Sequence, residues 1–116
     1  MNFTDLPLDL EALNTLADGD MTFALELLQI YEQDCLPHVQ TLRQGIAAQD
    51  YDRIYDAAHY LVGSSSNIGA TQIIDCAKNL ETLARAQQPG EYEALLTEIE
   101  RNLDQINRWL QAQDQD

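Results

Sequence analysis

One run of this chain has the residue types to do chemistry: Ala57-Ala58-His59-Tyr60-Leu61-Val62-Gly63-Ser64-Ser65-Ser66-Asn67-Ile68-Gly69-Ala70. An imidazole is largely neutral at cell pH, so one ring nitrogen offers a lone pair for nucleophilic attack. Gly63 follows His59 by four residues, which on a helix puts it directly above the imidazole on the same face. A position without a side chain there leaves room for something large to reach His59. Glycine costs about 1 kcal/mol of helix stability relative to alanine, so its presence points to access.

The elements that must hold this run are helical. Leu10, Leu13 and Leu16 mark a short first helix that stops near Asp18-Gly19-Asp20. A second starts at Asp20 or Met21, with Phe23, Leu27, Ile30 and Tyr31 on one face. Pro37 falls inside it and predicts a kink or short break before Val39, Leu42 and Ile46 resume the pattern. A third helix runs from about Asp50 to Ser65, followed by a loop over Asn67 to Gly69. A fourth runs from about Thr71 to Gln87, and Gln88-Pro89-Gly90 is a turn. The last, about Glu91 to Gln111, carries Tyr92, Leu95, Leu96, Ile99, Leu103, Ile106 and Leu110 in an amphipathic stripe. No segment alternates with a period of two. The expected fold is all-α: an antiparallel four-helix bundle with a short additional N-terminal helix. It forms a single domain over 1–116, with frayed ends at 1–7 and 112–116.

With 20 acidic against 6 basic residues, the net charge is −14. That excludes nucleic acid and anionic membrane as partners, since both require Lys and Arg to neutralise phosphates. It favours a monomer. There is no export signal and no membrane-length apolar segment, so the expected location is cytoplasmic. Cys35 and Cys76 are isolated and read as buried reduced thiols. Met1 ahead of the first helix suggests a free-standing protein.

The run resembles the central motif of histidine-containing phosphotransfer (HPt) domains, A-H-x-L-K-G-S-S-x-x-[IL/F]-G-A. Here it reads Ala58, His59, Leu61, Gly63, Ser64, Ser65, Ile68, Gly69 and Ala70. Cys76, Leu80, Glu81, Ala84 and Arg85 follow at the family's C…LE…AR spacing. The resemblance implies a helical bundle that relays phosphoryl groups in two-component signalling. It implies a phosphoryl group on Nε2 of His59, with the other ring nitrogen keeping its proton. Receiver domains of response regulators or hybrid kinases would be the partners, supplying the aspartate, Mg²⁺ and most catalytic groups. No cofactor or metal is expected on this chain, and it would be a carrier rather than an enzyme.

Two positions depart from the family. Val62 stands where Lys is usual, and Glu81 where Gln is frequent. Both make the site less cationic, so the expected phosphorylated form is shorter-lived than usual, or transfer strongly favours the receiver. Lys78 and Arg85, each about one turn from Glu81, are the candidate replacements for the missing cation. Glu81 is a candidate acceptor for the protonated ring nitrogen. Ser64 and Ser66 are candidate hydrogen-bond donors. Tyr55, Tyr60, Val62 and Ser66 are the candidate receiver-docking residues, since aromatic groups anchor interfaces.

Other readings are weaker. His38 lies three residues after Cys35, but two ligands do not make a zinc site, so it reads as a surface or capping histidine. The three serines lack a nucleophile-elbow context. Trp109 reads as packing, and the acidic run Glu91, Glu93, Glu98, Glu100 as a solvated face. The alternative function is an HPt-like module that binds and regulates receivers without being phosphorylated. A structural helical adaptor is a further alternative.

Overall fold

The computed structural model describes residues 7–113. Five helices follow in chain order: α1 (Leu10–Leu16), α2 (Met21–Ala48), α3 (Tyr51–Ile68), α4 (Thr71–Arg85) and α5 (Tyr92–Gln113). No strand occurs among the described residues, and none of their helices is long and apolar enough to cross a membrane.

Aspartates start the first three helices by satisfying N–H groups that lack an intrahelical acceptor. Asp9 accepts from Glu11 and Ala12, Asp20 from Phe23, and Asp50 from Arg53, at 3.0–3.2 Å. Left-handed residues end α2 and α3, at Gln49 (φ 54°) and Gly69 (φ 78°). Two-residue connections at 49–50 and 69–70 force α2, α3 and α4 into antiparallel neighbours. The helices α2 to α5 form a closed ring in which α3 packs on α2 and α4, and α5 on α4 and α2. Leu28, Leu42, Ile54, Leu61, Ile73, Leu80, Ile99 and Ile106 fill its centre without solvent contact. Each such side chain contributes about 1.5–3 kcal/mol by leaving water.

The short α1 lies across the α2–α3 end of the ring. Its cap residue Asp9 donates its N–H to the Gly69 carbonyl at 2.6 Å. A Cβ on Gly69 would come within 2.9 Å of Ala12 Cβ and 3.0 Å of Asp9 Cβ. Gly69 is therefore needed for both its left-handed backbone and its contact with α1.

Several expectations shift. Pro37 does not break α2, which is one helix of 28 residues with Pro37 exposed on its surface. Buried residues on both sides hold it together: Ala24, Leu28, Tyr31 and Cys35 before it, Val39, Leu42 and Gly45 after. Of the four residues expected on one face of α2, only Tyr31 is fully buried. Leu27 is half-buried, and Phe23 and Ile30 are exposed. The α3 helix runs on through Asn67 to Ile68, leaving no loop but Gly69-Ala70. The α4 helix ends at Arg85, two residues early. At the termini, Pro7 is buried and Ala112 and Gln113 belong to α5, while 1–6 and 114–116 lie outside the described residues. Cys35 is buried and Cys76 half-buried, and both are free thiols. Trp109 is buried, as its packing role requires.

Candidate functional site

His59 sits mid-way along α3, its side chain 68% exposed. The helix holds the backbone rigid while the ring projects into solvent. On the α4 side, Nδ1 lies 2.8 Å from Glu81 Oε2. A carboxylate only accepts, so Nδ1 carries the proton and donates it. Nε2 is then the nitrogen with the free lone pair. Tyr55, one turn earlier, stacks on the imidazole with ring centres 5.7 Å apart and planes within 10°. Arg85 donates to the Tyr55 hydroxyl at 2.5 Å, and its guanidinium carbon is 5.0 Å from that ring centre. Four expected site residues, Tyr55, His59, Glu81 and Arg85, thus form one connected cluster across α3 and α4.

The α2 side of His59 is different. An open groove of about 820 Å³ runs between α2 and α3, lined by His59, Tyr60, Gly63 and Ser64 from α3. Leu27, Ile30 and Asp34 of α2 form the opposite wall, with Leu16 of α1 at one end. Ile30 is 64% exposed and Leu16 44%. Gly63 adds no side chain to the wall, and a Cβ built there meets nothing beyond its own stretch of helix within 4 Å. Packing therefore does not demand glycine, and the space is open outward.

Tyr60 is fixed from α2. Its hydroxyl donates to Asp34 Oδ2 at 2.7 Å, and this bond to a carboxylate pushes the phenol pKa up. Its ring lies against His38, with centres 3.7 Å apart and planes within 14°. His38 is thus a stacking partner for a groove residue. No three-residue metal-ligating group occurs among the described residues.

The three serines have three different positions. Ser65 is fully buried and shares a 2.6 Å hydrogen bond with the Tyr31 hydroxyl, which ties α3 to α2 beneath the site. Burial, and secondarily the neighbouring Cys35, pushes the Tyr31 phenol well above its ordinary value. Cys35 beside it is raised to about 11, mainly by burial. Ser64 is half-buried at the groove, with its hydroxyl 3.4 Å from the Leu61 carbonyl. Ser66 is exposed, but its hydroxyl donates back to the Val62 carbonyl at 2.7 Å. Val62 is half-buried against the core. Tyr55, Val62 and Ser66 do not line the groove, so of the four expected docking residues only Tyr60 lies on it. Lys78 is exposed on α4, one turn before Glu81.

Leu16, Leu27, Ile30, Asp34 and Asn67 line the groove without having been expected there. Leu27 and Ile30 carried a signal, an apolar stripe on one face of α2, but its spacing did not say which way that face points.

This geometry has counterparts. The family model described as "Hpt domain" matches residues 26–109. Histidine-containing phosphotransfer protein 2 of Arabidopsis thaliana is 29% identical over a 97-residue alignment covering 72% of this chain and 62% of that protein. The chain thus spans about three fifths of that relative's length. Among solved structures, histidine-containing phosphotransfer protein B from Pseudomonas aeruginosa PAO1 superposes with a TM-score of 0.82 at 26% identity, covering 93% of this chain and 94% of that one. The HPT domain of a sensor hybrid histidine kinase from Shewanella shares the fold, with a TM-score of 0.65 at 23% identity over 94% of this chain and 92% of that one. With more than half its length matched by the family model, and His59 placed on a helical bundle of the matching shape, the chain belongs to the Hpt domain family.

Proposed function

We propose that this protein is a phosphorelay intermediate in two-component signalling. His59 accepts a phosphoryl group from the aspartyl phosphate of one receiver domain and passes it to the aspartate of another. The observation that carries this reading is the Nδ1–H bond to Glu81, which leaves Nε2 of an exposed imidazole open beside a groove with no side chain at Gly63.

The step follows from that geometry. The Nε2 lone pair attacks phosphorus in line, the N–P bond forms as the P–O bond to the aspartate breaks, and the carboxylate leaves. Positive charge grows on the ring during attack, and the Glu81 carboxylate faces the proton that carries it. Stacking on Tyr55 restrains the ring plane. The receiver supplies its aspartate, the Mg²⁺ and the remaining charge stabilisation, so this chain acts as a carrier. The groove between α2 and α3 is the docking surface, with Ile30, Leu27 and Tyr60 as apolar contacts around His59. The acidic chain works as a monomer.

The test is a transfer assay with receivers charged by a small phosphodonor and Mg²⁺, comparing wild type with His59→Gln. Acid-labile, base-stable phosphate on wild type alone supports the carrier. Receiver binding that survives His59→Gln, with no phosphate on either protein, replaces it with a docking module.

A further inference from the structure

The chain carries six basic residues against a net charge of −14, and all six lie within the described residues. Four are held by carboxylates: Arg43 by Glu100, Arg53 by Asp50, Arg101 by Glu98 and Arg108 by Asp104. The two that make no ion pair among the described residues are Lys78 and Arg85. Both are on α4, on either side of the glutamate that holds His59. Arg85 is engaged with the Tyr55 hydroxyl, whereas Lys78 has no hydrogen bond or ion pair there and is exposed.

The register of α3 against α4 shows where Lys78 stands. Tyr55 meets Arg85, and His59 meets Glu81. Four residues forward on α3 correspond to four backward on α4, as antiparallel helices require. Continuing this pairing one turn towards the turn at Gly69-Ala70 brings Val62 opposite Lys78. Ala70, midway in number between the members of every such pair, is part of the turn itself, which confirms the register. Val62 is one turn from His59 and presents a half-buried apolar surface, across which a lysine stem can lie while its ammonium stays in water.

We infer that Lys78 is the cation that compensates the phosphoryl group on His59, reaching it across Val62 from the neighbouring helix. This rests on the carrier reading and adds a residue to it. The phosphoryl oxygens bring two negative charges to a strongly acidic surface. Lys78 is the flexible charge free to meet them, and no competing carboxylate must first release it. It acts on the phosphorylated state by offsetting charge and does not attack or transfer protons.

The experiment uses the full chain and phosphoramidate, a small N–P donor that needs no partner. Phosphohistidine on His59 is followed by ³¹P NMR at pH 8 after the donor is removed. Lys78→Ala is expected to shorten the half-life about two- to five-fold, the range of one partly screened charge interaction. The difference shrinks in high salt, and Lys78→Arg keeps the wild-type lifetime. Adding Val62→Lys to Lys78→Ala moves the cation to the opposite helix and restores it. Thermal unfolding of Lys78→Ala stays at the wild-type value, which separates charge from folding. A lifetime that Lys78→Ala leaves unchanged overturns the assignment, as does a loss that neither Lys78→Arg nor Val62→Lys restores. Absence of phosphate on wild-type His59 overturns the carrier reading itself, and this assignment with it.

Discussion

Replacing Gly63 with alanine separates folding from function, because the two should move in opposite directions. Gly63 lies inside α3 with ordinary helical backbone, and an added Cβ meets nothing beyond its own stretch of helix within 4 Å. The folded state therefore gains the helix propensity of alanine, about 1 kcal/mol, with no clash to offset it. At roughly 2.1 cal/mol/K of unfolding entropy per residue, that raises Tm by about 4 °C for a chain of this length. The same methyl projects into the groove one turn above the imidazole. In a packed docking surface one extra carbon costs about 1–3 kcal/mol, so transfer to and from a receiver should slow by roughly tenfold or more. Phosphoramidate is small enough to pass the methyl, and its reaction with His59 should stay near wild type. Thermal unfolding, a receiver-transfer time course and phosphoramidate labelling are the three measurements. A lowered Tm refutes the claim that packing does not require glycine. An unslowed receiver reaction at raised Tm refutes the claim that the vacancy serves docking.

Other substitutions test the surrounding contacts. Glu81→Ala removes the acceptor for Nδ1–H, so the ¹⁵N spectrum of His59 should change from one dominant tautomer to a mixture. Phosphoramidate labelling should slow by roughly tenfold, in keeping with loss of a partly exposed charge-assisted bond. Tyr31→Phe strands the buried Ser65 hydroxyl and should cost about 1–3 kcal/mol, while Tyr31→Phe/Ser65→Ala costs less than the two single changes together, as read by urea unfolding. Gly69→Ala puts a Cβ into α1 at a left-handed position and should cost about 2 kcal/mol or more, seen as a lower Tm. The Cys35 thiol is raised from 9.0 to about 11 by burial, so its folded value lies above its unfolded one. Its contribution to stability is present below pH 9 and is lost as the pH climbs towards 11. Unfolding free energy should fall across that window, and Cys35→Ala should flatten the fall.

The helices and the reactive run were legible because their signals are local. Caps such as Asp20 and Asp50, the turn at Gln88-Pro89-Gly90, and a motif with many fixed offsets need no knowledge of the partner helix. The facing of α2 was not legible. Phe23, Leu27 and Ile30 make one apolar stripe, while Ala24, Leu28, Tyr31 and Cys35 make another about one residue round. Periodicity gives the spacing of both and the phase of neither. The more conspicuous stripe proved to be largely the outer one, which is what a docking wall requires. The separate places of the three serines were not legible for the same reason. Ser64, Ser65 and Ser66 are chemically identical, and only helix phase sends one into the core, one to the groove and one back to its own backbone. The Glu81 contact was anticipated from family spacing. The links from Arg85 to Tyr55 and from Tyr60 to Asp34 and His38 span 22 to 30 residues and depend on packing register.

The groove draws its two walls from different helices, and this gives the protein two separately editable surfaces. In the proposed relay the chemistry falls to α3 and α4, where a change at His59 or Glu81 would alter every exchange alike. The opposite wall, with Leu27, Ile30 and Asp34 of α2 and Leu16 of α1, carries no member of the Tyr55–His59–Glu81–Arg85 cluster. Gene duplication followed by drift on that wall alone could give sister proteins different correspondents while the exchange reaction stays intact. A library confined to those four positions, sorted against several receivers, is thus a route to insulated signalling channels on one unchanged His59 face.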